Sequence, residues 1–263
     1  MQVLNASTIS EAFQTTVDLL AGWASNDPPL CWFRGVKDNS LSLQPGACWR
    51  LDYNEFEPLV SFAQEGIAFA DVGSITDWNF YYFAQHHGIP TRLLDWTESF
   101  AAALFFAFDG WDGRTTPCVW VMQPGSLNEA MLGWNGIMAP ENIDGMSLWL
   151  PKTIAHPTHC VQQDQQGYSY DNDWPLAIYP KKSNLRISAQ QGTFTVHGRD
   201  REPLDALYEK RGGTIADTFA RIDMVGFDKP TVLKHLALLG IRRSAIYPDI
   251  ENCVRQLQET YGW

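Results

Sequence analysis

One segment of this chain, residues 85–99, concentrates polar chemistry between two apolar stretches of helical character. It reads Gln-His-His-Gly-Ile-Pro-Thr-Arg-Leu-Leu-Asp-Trp-Thr-Glu-Ser. Gly88 and Pro90 break the backbone, so the pattern predicts that a helix ends, a strand crosses and a second helix begins here. A buried polar group without a partner costs roughly 1–3 kcal/mol. The segment therefore indicates either a site that uses these groups or a turn braced by a pair such as Arg92 and Asp95.

The composition is that of a globular protein with a sizeable core. The chain has 263 residues, 45% of them hydrophobic, with 11 Trp and 14 Phe. No apolar run approaches the ~18 residues of a membrane span, and the first residues lack the layout of a signal peptide. Five cysteines without Cys-x-x-Cys spacing indicate free thiols. We therefore expect one cytoplasmic domain over residues 1–263, with no membrane partner.

The formal net charge of −11 disfavours a sequence-independent nucleic-acid binder, which needs clustered Lys and Arg. The basic residues are unevenly spread, however, and residues 181–211 hold a run of them diluted by carboxylates. A local basic face therefore stays open as an interpretation. A neutralising protein partner or a solvated acidic surface accounts equally well for the rest of the charge.

Hydrophobic periodicity and breaker residues predict an α+β chain that alternates helices and strands without repeats. Ser10 and Asp228 are predicted to cap helices, and Pro248 to start the last one. The predicted helices cover residues 10–23, 56–67, 76–86, 98–108 and 228–239 and the C-terminus. The predicted strands cover residues 30–36, 119–122, 176–179, 186–189, 193–197 and 244–247.

Residues 134–174 carry little periodic signal and many Gly, Gln, Asn, Asp and Pro residues. A connection of this length within a compact domain is usually functional or mobile. We therefore predict that residues 134–174 form an insertion or a poorly packed lid.

A second candidate segment is Phe33-Arg34-Gly35, on the predicted strand over residues 30–36. One interpretation is structural: Arg34 pairs with a carboxylate, and Gly35 allows another backbone to approach closely. The other is an anion clamp, because the planar guanidinium fork suits phosphate better than an ammonium does.

These segments together resemble the FRG domain family, named for its Phe-Arg-Gly tripeptide. The resemblance rests on Phe33-Arg34-Gly35, Arg50, the run over residues 85–97 with Ser99, and the apolar helix over 101–107. It extends through residues 186–194, 239–241 and 247–250. The long central run is specific, whereas a tripeptide alone would carry no weight.

The resemblance also implies a distant similarity to mono-ADP-ribosyltransferases, with split mixed or antiparallel sheets, flanking helices and NAD as cofactor. By this comparison Arg34 holds the pyrophosphate, and Thr97 with Ser99 shapes the nicotinamide pocket. Gln190 or Gln191 stands in the place of a late catalytic glutamate. A glutamine cannot be a general base, so Asp95 is the nearest carboxylate for that role. The expected catalytic residues are Arg34, Asp95, Thr97 and Gln190, and the expected NAD-binding residues are Arg34, Gly35, His87, Arg92, Thr97 and Ser99.

Domains of this family occur in bacteria and their mobile elements. The resemblance thus implies a toxin or phage-defence effector that modifies a macromolecule, either protein or RNA or DNA, and an antitoxin or regulatory partner.

Three alternatives remain open. Residues 181–211 could guide nucleic acid in a nuclease, or the Arg34 and Arg92 pocket could sense a nucleotide without catalysis. Zinc bound by His86 or His87 with Asp95 is a weaker alternative, because neighbouring side chains at a helix end point in different directions. An ordinary loop is the simpler interpretation of residues 156–160, His-Pro-Thr-His-Cys.

Overall fold

The computed structural model describes residues 1–23, 30–66, 68–69, 74, 76–155, 159–182 and 185–263. Within them the chain forms an α+β fold around one large sheet and a two-stranded hairpin. The strands are β1 (Gln2–Ala6), β2 (Trp32–Val36), β3 (Leu93–Thr97), β4 (Cys118–Met122), β5 (Val161–Gln163), β6 (Ser169–Asp171), β7 (Leu176–Ile178), β8 (Gly192–Val196) and β9 (Phe219–Met224).

The helices surround this sheet. They are α1 (Ile9–Trp23), α2 (Phe56–Gly66), α3 (Trp78–His86), α4 (Phe100–Phe108), α5 (Pro124–Leu132), α6 (Pro151–Ile154), α7 (Leu185–Ala189), α8 (Leu204–Lys210), α9 (Lys229–Leu238), α10 (Arg243–Ile246) and α11 (Ile250–Tyr261). None of the helices in the described ranges is both long enough and apolar enough to cross a membrane.

The large sheet has the strand order β1-β9-β4-β2-β3-β8-β7. Its pairs are antiparallel except for β1 with β9. We expected split sheets, and this expectation is wrong in that seven strands form one sheet. The two central strands, however, are joined at a single residue pair, Phe33 with Thr97. The pairing between β2 and β3 is therefore limited to this position, and the Arg34 and Asp95 motifs lie beside it.

Most predicted elements are confirmed, with small shifts at their ends. Asp228 caps α9 by accepting from the Thr231 N–H, as predicted. The first helix begins at Ile9, so Ser10 lies inside it, and the Thr8 hydroxyl accepts from the Glu11 N–H instead.

Two predicted strands are wrong. Residues 186–189 belong to α7 and residues 244–247 largely to α10. Strands β1 and β9 carried no clear signal in the sequence and were not predicted. Short apolar runs do not separate strand from helix, and here tertiary packing decides.

Residues 134–174 differ from the poorly packed segment that we predicted. In their described part, Met146 and Trp149 are fully buried, and Met138 and Tyr170 nearly so. These side chains belong to the same core cluster as Trp32 and Leu94. The segment lacks helical or strand periodicity because it is built from 3-10 turns and a short hairpin, and yet it contributes large side chains to the core.

Gly35 brings a helix unusually close to the sheet. A Cβ atom at this position would lie 1.7 Å from the Ala103 carbonyl oxygen and 2.7 Å from the Ala107 nitrogen, both in α4. Only glycine permits this contact, because any larger residue would push the helix away. The structural interpretation of Gly35 is therefore confirmed, and the resulting contact places α4 against β2.

Arg92 is buried at the centre of a hydrogen-bond network. Its side chain is 4% exposed and that of its ion-pair partner Glu55 is 6% exposed. Arg92 Nε donates to Glu55 Oε1 at 2.6 Å, and its Nη atoms donate to the carbonyl oxygens of His197 and Trp149. The Tyr81 hydroxyl donates to Glu55 Oε2 at 2.7 Å. This arrangement ties together α3, the start of β3, the end of β8 and the 134–174 segment.

We expect Arg92→Met to destabilise the fold by about 3–5 kcal/mol, because it leaves the Glu55 carboxylate buried without a cation. Urea unfolding would measure this loss. Arg114→Met is the matched control, since Arg114 is 86% exposed and its removal should change stability by no more than about 0.5 kcal/mol. A loss below about 1 kcal/mol in Arg92→Met would contradict the bracing role.

The buried side chain of His197 should make the free energy of unfolding depend on pH. Burial lowers the pKa of His197 from its usual value to about 3. The unfolded chain therefore binds a proton near pH 6.5 that the folded chain excludes, so stability is lost as pH falls from 6.5 towards 3. Below pH 6.5, His197 should lower the free energy of unfolding by up to about 1.4 kcal/mol for each pH unit. Urea unfolding of the wild type and His197→Gln between pH 7 and pH 4.5 would measure it, and parallel curves would contradict it.

Candidate functional site

The candidate site is a cleft of about 430 Å³ beside the central strands β2 and β3. This volume lies within the range of small-molecule sites. Its charged lining residues are Arg34, Lys37, Asp95, Asp109 and Arg186. Its other lining residues include Gly35, Tyr82, Gln85, His86, Trp96, Thr97, Phe106, Gln190, Thr193 and Phe194.

Arg34 spans the gap between the two weakly joined strands. Its Nη1 donates to the backbone carbonyl of Asp95 at 2.8 Å and lies 4.0 Å from the Asp95 carboxylate. The side chain is 22% exposed, so it reaches the cleft. Desolvation by burial lowers the pKa of Arg34, and the nearby Asp95 carboxylate opposes this shift. Arg34 remains a cation, because an arginine side chain loses its proton only far above neutral pH.

Asp95 is the accessible carboxylate of the cleft, with its side chain 60% exposed. One of its oxygens, Oδ2, accepts a hydrogen bond from Gln85 Nε2 at 2.9 Å. Gln85 belongs to α3, so the helix before the Gly88 and Pro90 break and the strand after it meet at this carboxylate. The sequence motifs predict that Arg34, Arg92, Asp95 and Thr97 converge on one cleft; Arg34, Asp95 and Thr97 line it, and Arg92 does not.

Thr97 and Ser99 form local structure. The Thr97 hydroxyl donates to the Gln190 carbonyl at 2.6 Å and accepts from the Ser99 N–H at 3.0 Å. Ser99 caps α4 by accepting from the Ala102 N–H. Thr97 lines the cleft but is only 2% exposed. Ser99 lies outside the cleft lining, in the turn between β3 and α4.

Arg186 of α7 and Gln190, just after it, also line the cleft. The Gln190 amide nitrogen donates to the Ile246 carbonyl at 3.2 Å, so its amide oxygen is the atom left for a ligand. The Arg186 guanidinium carbon lies 4.8 Å from the centre of the Tyr247 ring. Beside it, burial and the charge of Arg186 lower the pKa of His86.

Besides Ser99, two predicted site residues lie outside the cleft lining. The convergence expected of Arg92 is wrong: Arg92 sits in the core network with Glu55 and not in the cleft lining. His87 is exposed at the end of α3 and packs on Phe83, with ring centroids 4.4 Å apart. The direction of a side chain at a helix end depends on where the helix stops, and residue spacing alone did not reveal it.

Sequence reasoning assigned no site role to several residues that line the cleft, among them Lys37, Gln85, Asp109 and Arg186. Gln85 lies in the motif that drew our attention, and His86, in the same motif, was considered only as a zinc ligand. Arg186 was placed on a strand, and its true position on α7 turns it toward the cleft. No pattern in the sequence indicated this helix.

Among the described residues, His86 and Asp95 do not belong to a group of three or more possible metal ligands, which gives little support to zinc at the His-His motif. A different cluster lies on the β5–β6 hairpin, where possible ligand atoms of His159, Asp171 and Asp173 lie within 4.8 Å of one another. His159 Nε2 is 2.7 Å from Asp171 Oδ1, and this hydrogen bond raises the pKa of His159. The remainder of the His-Pro-Thr-His-Cys stretch, residues 156–158, lies outside the described residues.

The basic residues between 181 and 211 are largely engaged within the fold. Arg201 donates to backbone carbonyls of residues 50 and 53, at 2.6 and 2.8 Å. Lys210 contacts Asp200 at 2.6 Å and Glu202 at 3.0 Å. Lys182 lies 3.7 Å from a Glu98 oxygen. These contacts disfavour a continuous phosphate-binding track along the segment.

Comparisons with known proteins bear on the first part of the chain. No curated protein and no solved structure shows a significant match. The matched segment contains β2, α2, α3, β3 and α4, and so carries Arg34, Gln85 and Asp95. Residues 30–114 match the FRG domain family, which confirms the resemblance over that segment.

Proposed function

We propose that the cleft binds NAD and that the chain transfers ADP-ribose to a macromolecular acceptor, either a protein or a nucleic acid. The observation that carries the proposal is the meeting of an accessible carboxylate, Asp95, with the Arg34 guanidinium in one cleft, 4.0 Å apart. Glycosyl transfer from NAD needs both kinds of group, because the substrate carries a pyrophosphate and the reacting sugar becomes cationic.

The cations of the cleft suit the pyrophosphate. Arg34 presents a planar fork from β2, and Arg186 faces the same cleft from α7. A guanidinium can donate two parallel hydrogen bonds to phosphate oxygens. Lys37 lines the same cleft and adds a third positive charge. The partly exposed aromatic side chain of Phe106 provides a surface on which a base or nicotinamide ring can pack.

In the transfer, the bond between ribose C1′ and the nicotinamide nitrogen breaks, and its electron pair neutralises the pyridinium. The sugar then resembles an oxocarbenium ion, which a nearby carboxylate stabilises. The acceptor oxygen or nitrogen bonds to C1′ and gives its proton to Asp95. Gln190, which has no charge, serves through its amide oxygen as a hydrogen-bond acceptor for a ribose hydroxyl.

The wider role that we propose is a bacterial toxin or phage-defence effector held in check by a neutralising protein. The support is the resemblance to FRG domains and the acidic chain, with net charge −11, which suits a protein partner better than naked nucleic acid.

The activity is tested by incubating the protein with labelled NAD and a cell extract, then measuring released nicotinamide and labelled macromolecule. We expect Asp95→Asn to lower kcat/KM by about 10²–10³-fold, because it removes the charge and the proton acceptor. Arg34→Lys keeps the charge but loses the fork and should raise KM roughly tenfold.

Two exposed residues outside the cleft lining offer matched controls. Asp112 is 58% exposed and Arg114 is 86% exposed, so Asp112→Asn and Arg114→Lys should behave as the wild type. Melting temperatures would separate loss of activity from loss of folding. A wild-type protein that binds NAD but releases no nicotinamide would refute the transferase and favour a nucleotide-sensing module. Strongly salt-dependent RNA or DNA binding with cleavage would instead favour a nuclease.

Expression in a bacterial host tests the effector role. We expect the wild-type chain to slow growth and Asp95→Asn to relieve the effect at equal protein levels, because the exposed Asp95 side chain is not part of the core. Asp112→Asn should remain inhibitory. Normal growth with abundant soluble wild-type protein would contradict this role.

A further inference from the structure

We propose that Gln85 and Thr91 are positioning residues that hold the Asp95 carboxylate in one orientation in the cleft. The catalytic consequence rests on the proposed function, whereas the hydrogen-bonded relay itself does not. The relay is a chain of hydrogen bonds from the Leu93 backbone through Thr91 and Gln85 to Asp95. Two of these bonds, Thr91 to Gln85 and Gln85 to Asp95, join α3 to the segment that follows Pro90.

The backbone sets the direction of the relay at Thr91. The Leu93 N–H donates to Thr91 Oγ1 at 3.1 Å, which uses an acceptor position of the hydroxyl. The hydroxyl then donates its proton to Gln85 Oε1 at 2.6 Å. Thr91 is fully buried, so it does not reach a substrate and acts through Gln85.

The same contacts determine the orientation of the Gln85 amide. With Oε1 toward Thr91, the Nε2 group faces two acceptors: the Leu93 carbonyl at 3.4 Å and Asp95 Oδ2 at 2.9 Å. A flipped amide would place its oxygen against both of them. The orientation with the nitrogen toward Asp95 is therefore the only one that satisfies every partner.

The Asp95 side chain needs this support because it is 60% exposed. Among the described residues, its side-chain hydrogen bond comes from Gln85 and reaches Oδ2. The Arg34 nitrogen at 4.0 Å is too distant for a hydrogen bond. Gln85 thus anchors one oxygen and leaves Oδ1 for the ribose or for the proton of the acceptor. A carboxylate that rotates freely would spend much of its time out of reach of the reacting atoms.

Kinetics of nicotinamide release test the catalytic consequence. Gln85→Met removes the donor at similar length, and we expect kcat to fall roughly 10- to 100-fold while KM for NAD changes less than about threefold. Thr91→Val removes the hydroxyl at similar shape and should lower kcat in the same way, and Thr91→Ser should recover most of the lost rate. A Gln85→Met enzyme with unchanged kcat, or with a change confined to KM, would overturn the positioning role.

A double variant and a spectroscopic measurement separate a relay from general damage. If Thr91 acts only through Gln85, then Thr91→Val combined with Gln85→Met lowers kcat no further than Gln85→Met alone, and additive losses would contradict the relay. Independently, the side-chain amide resonances of Gln85 in a ¹⁵N-correlated NMR spectrum should shift in Asp95→Asn and in Thr91→Val. Unchanged resonances in both variants overturn the relay.

The spectrum also keeps the two proposals distinguishable. If the wild type releases no nicotinamide but the Gln85 amide responds to both substitutions, the transferase proposal fails and the relay stands. If the wild type is active and the amide does not respond, the relay fails alone.

Discussion

The buried ion pair between Arg92 and Glu55 is the interaction on which the rest of the fold depends most. Each charge would be costly to bury alone, and the pair is stable because each of the three guanidinium nitrogens donates to an acceptor. The acceptors come from segments far apart in the chain, including Trp149 and His197. The network therefore holds the 134–174 segment against the sheet and sets the position where β3 begins.

The position of β3 in turn creates the cleft. β3 pairs fully with β8 but meets β2 at one residue pair, so the centre of the sheet opens beside Phe33 and Thr97. Arg34 bridges the opening through the Asp95 carbonyl. Gly35 lets α4 pack directly on β2, and this close packing supports the strand from behind. The packed strands and α4 thus surround a cleft in which backbone and polar side chains remain accessible.

The motif over residues 85–99 divides its polar groups between these two tasks. Arg92, Thr97 and Ser99 serve the packing around the cleft, through the core pair, the contact with Gln190 and the cap of α4. Gln85 and Asp95 serve the cleft. This division explains why so many polar groups occupy a short segment. Some of them stabilise the fold around the cleft, and the others line the cleft itself.

The amino-acid pattern alone was sufficient for the α+β class, most helices, the break at Gly88 and Pro90, and the choice of Arg34 and Asp95 as candidate site residues. These features are local, since they follow from periodicity, breaker residues and side-chain chemistry. Tertiary structure decided the remainder. Whether Arg92 lies in the cleft or the core depends on Glu55, 37 residues away in sequence. Whether residues 186–189 form a strand or a helix, and whether 134–174 is a lid or part of the core, depends on packing partners that no local pattern encodes. The same limit applied to Gln85, because its hydrogen bonds to Thr91 and Asp95 form only when the fold brings these residues together.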